Sequence, residues 1–148
     1  MLAERYPNDT FVYPVHLNPI VQAAANEVLG SKLHNVFLIP PVSYIPFVWL
    51  MKKSHFIITD SGGIQEEGPA LGKPILVTRE VTERPEGIAT GNAKLVGTDT
   101  NLIVNQGIQL MENERYYAGM AQAKNPYGNG SAADAIARIC ELFVTRSH

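Results

Sequence analysis

The chain has 148 residues, 45% of them hydrophobic and 18% charged, which is enough apolar material for one soluble domain with its own core. A formal net charge of −2, with no local basic cluster, excludes a nucleic-acid partner from the expected readings, and no apolar run is long enough to cross a membrane. Glu4 and Arg5 interrupt any leader-like segment and Cys140 is the single cysteine, so no intrachain disulfide forms and a reducing, cytoplasmic setting is expected.

Met1 to Asn8 reads as the end of an element. Thr10 to Tyr13 has strand character, limited by Pro14. After the Val15–Pro19 loop, Asn18 caps a helix whose first turn holds Pro19, whose apolar side carries Val21, Ala24, Ala25 and Val28, and which Gly30 ends. Val36 to Ile39 is a continuous apolar run, as in a strand covered on both faces, and Pro40-Pro41 stops it. Tyr44 to Lys53 reads as a helix entered through Pro46, and Phe56 to Thr59 as a third, buried strand.

Next comes Thr59-Asp60-Ser61-Gly62-Gly63-Ile64-Gln65-Glu66-Glu67, then a helix over about 64–71, bent by Pro69 and ended by Gly72. Pro74 to Val77 is the fourth strand, Thr78 to Thr90 a polar, charge-dense loop, and Ala93 to Val96 a short fifth strand. Thr98 or Thr100 caps a helix carrying Val104, Ile108 and Met111, and another helix spans about 112–123. After the turn-rich Asn125–Gly130 stretch, a last helix carries Ile136, Ile139, Cys140 and Phe143 on one stripe, so Cys140 is expected to be a buried structural thiol. Thr145 to His148 is expected to fray.

Short apolar strands alternating with helices predict an α/β fold: a Rossmann-like parallel sheet with right-handed crossovers and helices on both faces. Ligands of such sheets bind outside the carboxyl ends of the strands, where the Pro40-Pro41, Ser61–Gly63 and 78–90 segments all lie. Ser61, Gly62 and Gly63 offer a hydroxyl and helix-start amides to a phosphate, although a serine-capped tight turn is the plainer alternative. Neither G-x-G-x-x-G nor G-K-[ST] is present.

Glu66 and Glu67 follow within the first turn, as caps or, for Glu67, as an acceptor for sugar hydroxyls; a solvated carboxylate is the alternative. Arg84 can offer a planar guanidinium to a diphosphate, or pair with a neighbouring glutamate at the surface. Phe47 or Tyr44 can cover a base or simply pack. His16, in a loop after a strand, can bind an anion or hold the loop together. His16, His34, His55 and His148 are scattered and lack metal-ligand spacing, so no metal is expected.

Seven motifs occur in order: Tyr13-Pro14-Val15-His16-Leu17-Asn18-Pro19, Phe47-Val48-Trp49-Leu50-Met51, the Thr59–Glu67 stretch, Gly72-Lys73-Pro74, Thr82-Glu83-Arg84-Pro85-Glu86, Leu95-Val96-Gly97-Thr98 and Asn125-Pro126-Tyr127-Gly128. Together they resemble the carboxyl-terminal part of the non-hydrolysing bacterial UDP-N-acetylglucosamine 2-epimerases. The resemblance implies the second of two Rossmann-like domains arranged as in GT-B glycosyltransferases, with the active site in the cleft between them. It implies interconversion of UDP-N-acetylglucosamine and UDP-N-acetylmannosamine by elimination and re-addition of UDP, without metal or nicotinamide.

By that resemblance Ser61, Gly62 and Gly63 hold the diphosphate, Glu67 the ribose, Arg84 the region near the diphosphate, and Phe47 the uracil. His16 matches a histidine that touches a second, activating UDP-N-acetylglucosamine. No catalytic residue falls in this stretch. The amino-terminal domain and the first, central strand of this domain are expected to be missing, which leaves two strands with unpaired edges that another copy, a rearranged strand or a separate chain fills. A homo-oligomer, with a dimer foremost, is the expected partner state. The donor-binding domain of a UDP-sugar glycosyltransferase and a non-catalytic UDP-binding module remain as alternatives.

Overall fold

A computed structural model describes residues 1–30 and 33–146 of the chain. In chain order the elements are α1 (Leu2–Arg5), β1 (Phe11–Pro14), α2 (Pro19–Leu29), β2 (Val36–Ile39), α3 (Tyr44–Lys53), β3 (Ile57–Thr59) and α4 (Gly62–Ala70). They continue with β4 (Ile75–Val77), α5 (Pro85–Thr90), β5 (Ala93–Leu95), α6 (Thr100–Glu112), α7 (Glu114–Ala121) and α8 (Ala132–Arg146). Among the described residues every strand pairing is parallel, as short apolar runs separated by helices require.

The strands fall into two sheets, β1-β2 and β3-β4-β5. Among the described residues no strand pairs with the second edge of β1 or of β3, in line with the expected gap. Leu2 to Arg5 forms a helical turn, so it is not a rearranged strand filling that gap. Arg5 Nη2 instead donates to Glu112 at 2.8 Å, which ties α1 to α6 and holds the Glu112 carboxyl below the usual carboxylate range.

The β3-β4-β5 sheet carries the core. Side chains alternate across a strand, so Leu76 points to one face and Ile75 and Val77 to the other. Leu76 packs with Val96, Leu110 and Met120, from the α6 and α7 side. Ile75 and Val77 pack with Ala93, Ile57 and Ile88, from the α4 and α5 side. Gly68 of α4 makes this close approach possible: a Cβ there would lie 2.2 Å from Ile75 Cδ1.

The β1-β2 sheet is less enclosed than the continuous run at 36–39 suggests. Val12 and Phe37 stand opposite each other in register, and both are exposed over two fifths or more of their surface. Ile58 of β3 is exposed too. An apolar run reports that a strand is wanted; whether both faces are covered depends on which helices lie over it.

Several boundaries and environments differ from expectation. The 78–90 stretch contains the short helix α5, opened by Pro85 at its first position and closed by Gly91 at φ 86°. Asp99, rather than Thr98 or Thr100, caps α6, its Oδ1 accepting from Leu102 N–H at 2.8 Å. Asn113 closes α6 and caps α7, which therefore covers Glu114 to Ala121. Cys140 is exposed rather than buried, because the apolar side of α8 is not enclosed in this fold. The expected fraying of the last residues falls partly outside the described structure: Thr145 and Arg146 belong to α8, and 147–148 are not described.

Candidate functional site

The rim is built from segments that leave the carboxyl ends of parallel strands. At the end of β3, Ser61 N–H donates to Thr59 Oγ1 at 3.1 Å, which turns the chain sharply into α4. The helix begins at Gly62, two residues before the sequence suggests, because two glycines accept the turn without steric cost. Ser61 occupies the capping position, yet its hydroxyl makes no cap hydrogen bond. The plainer reading of Ser61, a serine spent on its own helix, is therefore not what is seen. The first amides of α4 lack a side-chain cap and point outward with the positive end of the helix dipole.

Because α4 starts early, Glu66 and Glu67 lie in its second turn, and neither caps it. Their side chains separate. Glu66 receives a short charge-assisted hydrogen bond from Arg84 Nε. Glu67 faces Tyr44 at the start of α3, and its charge is the main reason that the Tyr44 phenol is held above its usual range.

Arg84 comes from the segment after β4 and holds the capping position just before α5. Its guanidinium lies over the first turn of α4: a Cβ on Gly62 would stand 3.9 Å from both Arg84 Cζ and Nη2. Nε is engaged by Glu66 and Nη1 donates to the Glu83 carbonyl at 3.1 Å. Nη2 has no acceptor among the described residues. The Glu66 partnership holds the Arg84 pKa above its ordinary value, so the guanidinium is a permanent cation. Arg84 and Glu66 are 36% and 42% exposed, so their pairing is screened and cheap to exchange for another anion.

The backbone on either side of Arg84 is tied down. Thr82 Oγ1 accepts from Arg84 N–H at 3.0 Å and donates to Gln65 Oε1 at 2.6 Å. Gln65 is almost wholly buried in α4, and its amide reaches the Ser61 carbonyl at 3.3 Å. The sequence reading passed over Gln65 and Thr82. Gln65 had a signal, a neutral polar residue in the first turns of a helix that must pack on the sheet, which needs a partner once buried; Thr82, in the segment before α5, had none.

Ser61, Gly62, Gly63 and Arg84 thus converge on one spot. Glu67 lies one turn further along the same helix. Phe47 is half-buried on α3, one turn after Tyr44 and on the same side by helical spacing. His16 is exposed beyond the end of β1, its Nδ1 accepting from Asn18 N–H at 3.1 Å. Among the described residues no group of three or more His, Cys, Asp or Glu side chains could hold a metal ion, and no helix is long and apolar enough to cross a membrane.

Parallel strands joined by helices, with an uncapped helix start under an arginine at the carboxyl edge, define a Rossmann-like α/β domain. The sequence profile described as "UDP-N-acetylglucosamine 2-epimerase" matches residues 1–141, and the chain belongs to that family. It is 54% identical over 135 residues to the UDP-N-acetylglucosamine 2-epimerase of Neisseria meningitidis, covering 91% of this chain and 36% of that one. The Escherichia coli enzyme of the same name is 50% identical over 91% of this chain and 36% of its own.

Among solved structures, S. aureus MnaA with UDP superposes at a TM-score of 0.91, with 42% identity, over 97% of this chain and 39% of that chain. The Neisseria meningitidis enzyme bound to UDP-GlcNAc superposes at 0.84, with 53% identity, over 93% and 37%. The chain therefore spans under two fifths of the length of these relatives. The matched family is that of the epimerases, the first of the expected readings.

Proposed function

We propose that this chain is the UDP-binding part of a UDP-N-acetylglucosamine 2-epimerase, with the diphosphate held between the first turn of α4 and Arg84. The complete enzyme would interconvert UDP-N-acetylglucosamine and UDP-N-acetylmannosamine by eliminating UDP and adding it back with the configuration at C2 inverted. The observation that carries the reading is the Arg84 guanidinium lying over a helix start that no side chain caps. Backbone amides and a fixed cation meeting at one point suit a pyrophosphate better than any neutral ligand.

Glu67 would accept from the ribose hydroxyls, with Tyr44 as its present neighbour, and Phe47 would lie toward the uracil. His16 would serve a second UDP-N-acetylglucosamine outside this site. The carboxylates that work on the sugar would come from an amino-terminal domain across a cleft, so the chain alone has one wall of the site and should bind UDP without turning over the sugar.

Titration of the 148-residue chain with UDP tests this. Arg84→Ala should weaken UDP binding at least tenfold and Glu67→Ala several-fold. Equal affinity in wild type and both variants would remove the two assignments, and epimerisation by the chain alone would overturn the division of labour.

A further inference from the structure

The Asn125-Pro126-Tyr127-Gly128 turn has no part in the site as proposed, yet it reaches into it. Asn125 Oδ1 accepts from Tyr127 N–H at 3.0 Å, and Asn125 Nδ2 donates to the Gly128 carbonyl at 2.9 Å. Gly128 completes the turn at φ 90°. This self-bonded turn presents the Tyr127 ring to the start of α5. There the Tyr127 hydroxyl accepts from Gly87 N–H at 3.0 Å, across 40 residues of chain.

Gly87 N–H is one of the first-turn amides that have no acceptor inside their own helix. Arg84, which holds the capping position, supplies no side-chain cap. Tyr127 does that work from a distance. The fit requires a bare Cα: a Cβ on Gly87 would lie 2.8 Å from the Tyr127 hydroxyl oxygen. Tyr127 and Arg84 also line one open cleft of about 390 Å³, together with Pro126 and the carboxylates of Glu66, Glu83 and Glu86. Burial, with Glu86 and Glu66 adding to it, holds the Tyr127 phenol above its usual range, so it remains a neutral acceptor.

Arg84 is therefore clamped from both sides. Thr82 and Gln65 fix its own amide to α4, and Tyr127 fixes the helix that it precedes. We propose that Tyr127 is a positioning residue for Arg84: by capping α5 at Gly87 it sets where the guanidinium leaves the backbone, and so keeps it over the first turn of α4. The inference rests on the reading of Arg84 as a diphosphate ligand.

The test is calorimetric titration of the 148-residue chain with UDP and, separately, with uridine, which lacks the diphosphate. Wild type, Tyr127→Phe, Arg84→Ala and the double variant are compared. Tyr127→Phe should weaken UDP roughly five- to tenfold, leave uridine unchanged, and add nothing in the Arg84→Ala background. A purely structural role would weaken both ligands alike and would persist without Arg84. Unchanged UDP affinity, equal loss for both ligands, or a full loss on top of Arg84→Ala each overturns the proposal.

Should Tyr127→Phe unfold at the assay temperature, Asn125→Ala replaces it under the same criteria, since it keeps the hydroxyl and loosens only its presentation. If Arg84→Ala itself binds UDP like wild type, the diphosphate reading fails, and the role of Tyr127 falls with it. That outcome is distinct from one in which Arg84 matters and Tyr127 does not.

Discussion

At the scale of single residues the site is governed by competition for one guanidinium. Glu66 occupies Arg84 Nε, and a diphosphate arriving at the start of α4 must share or displace that carboxylate. Both partners are more than a third exposed, and solvent screens a pair in that setting. Glu66→Gln keeps the shape and removes the charge, so UDP should bind roughly two- to fivefold more tightly. Weaker binding would mean that Glu66 helps to hold the ligand or to aim Arg84. The paired glutamates also mark how far residues alone could be read. Their order in the chain was plain, but which one meets Arg84 and which faces Tyr44 depends on where α4 begins. Two glycines moved that start to Gly62, and no periodicity in the sequence records it.

Elements were legible where they repeat a pattern and obscure where they are short. The helix over Tyr44 to Lys53 and the cap of α2 by Asn18, whose Oδ1 accepts from Ile20 N–H at 3.0 Å, follow from local chemistry. The six residues of α5 carry no apolar stripe, so only Pro85 and Gly91 announced that helix. The stripe on α8 marks a helix but not a buried face, because burial is decided by a partner element and not by the stripe. The contact between α4 and β4 gives this scale its own test. Gly68→Ala forces a methyl into Ile75, which is fully buried and has nowhere to turn. A loss of roughly 1–3 kcal/mol in urea unfolding is expected. An unchanged midpoint would show that the helix can ride up off the sheet without cost.

For the molecule as a whole, the split into two sheets and the bare side of α8 have the same consequence. Edges of β1 and β3 that lack a strand neighbour are templates for pairing, and Ile136 and Ile139 are 61% and 66% exposed on one side of α8. The expectation of a gap came from the family resemblance, since nothing in the residues of β1 or β3 distinguishes an edge from a centre. A chain of this shape should self-associate. Sedimentation at rising protein concentration should show a growing fraction above monomer mass, and a monomer that stays monomeric would contradict the expectation. Ile136→Glu with Ile139→Glu separates the two surfaces. If α8 carries the association, this variant sediments as a monomer; if the strand edges carry it, the larger species persist. In the second case a covering strand supplied by another polypeptide should both abolish the association and raise the unfolding midpoint, because it satisfies backbone groups on β1 and β3 together.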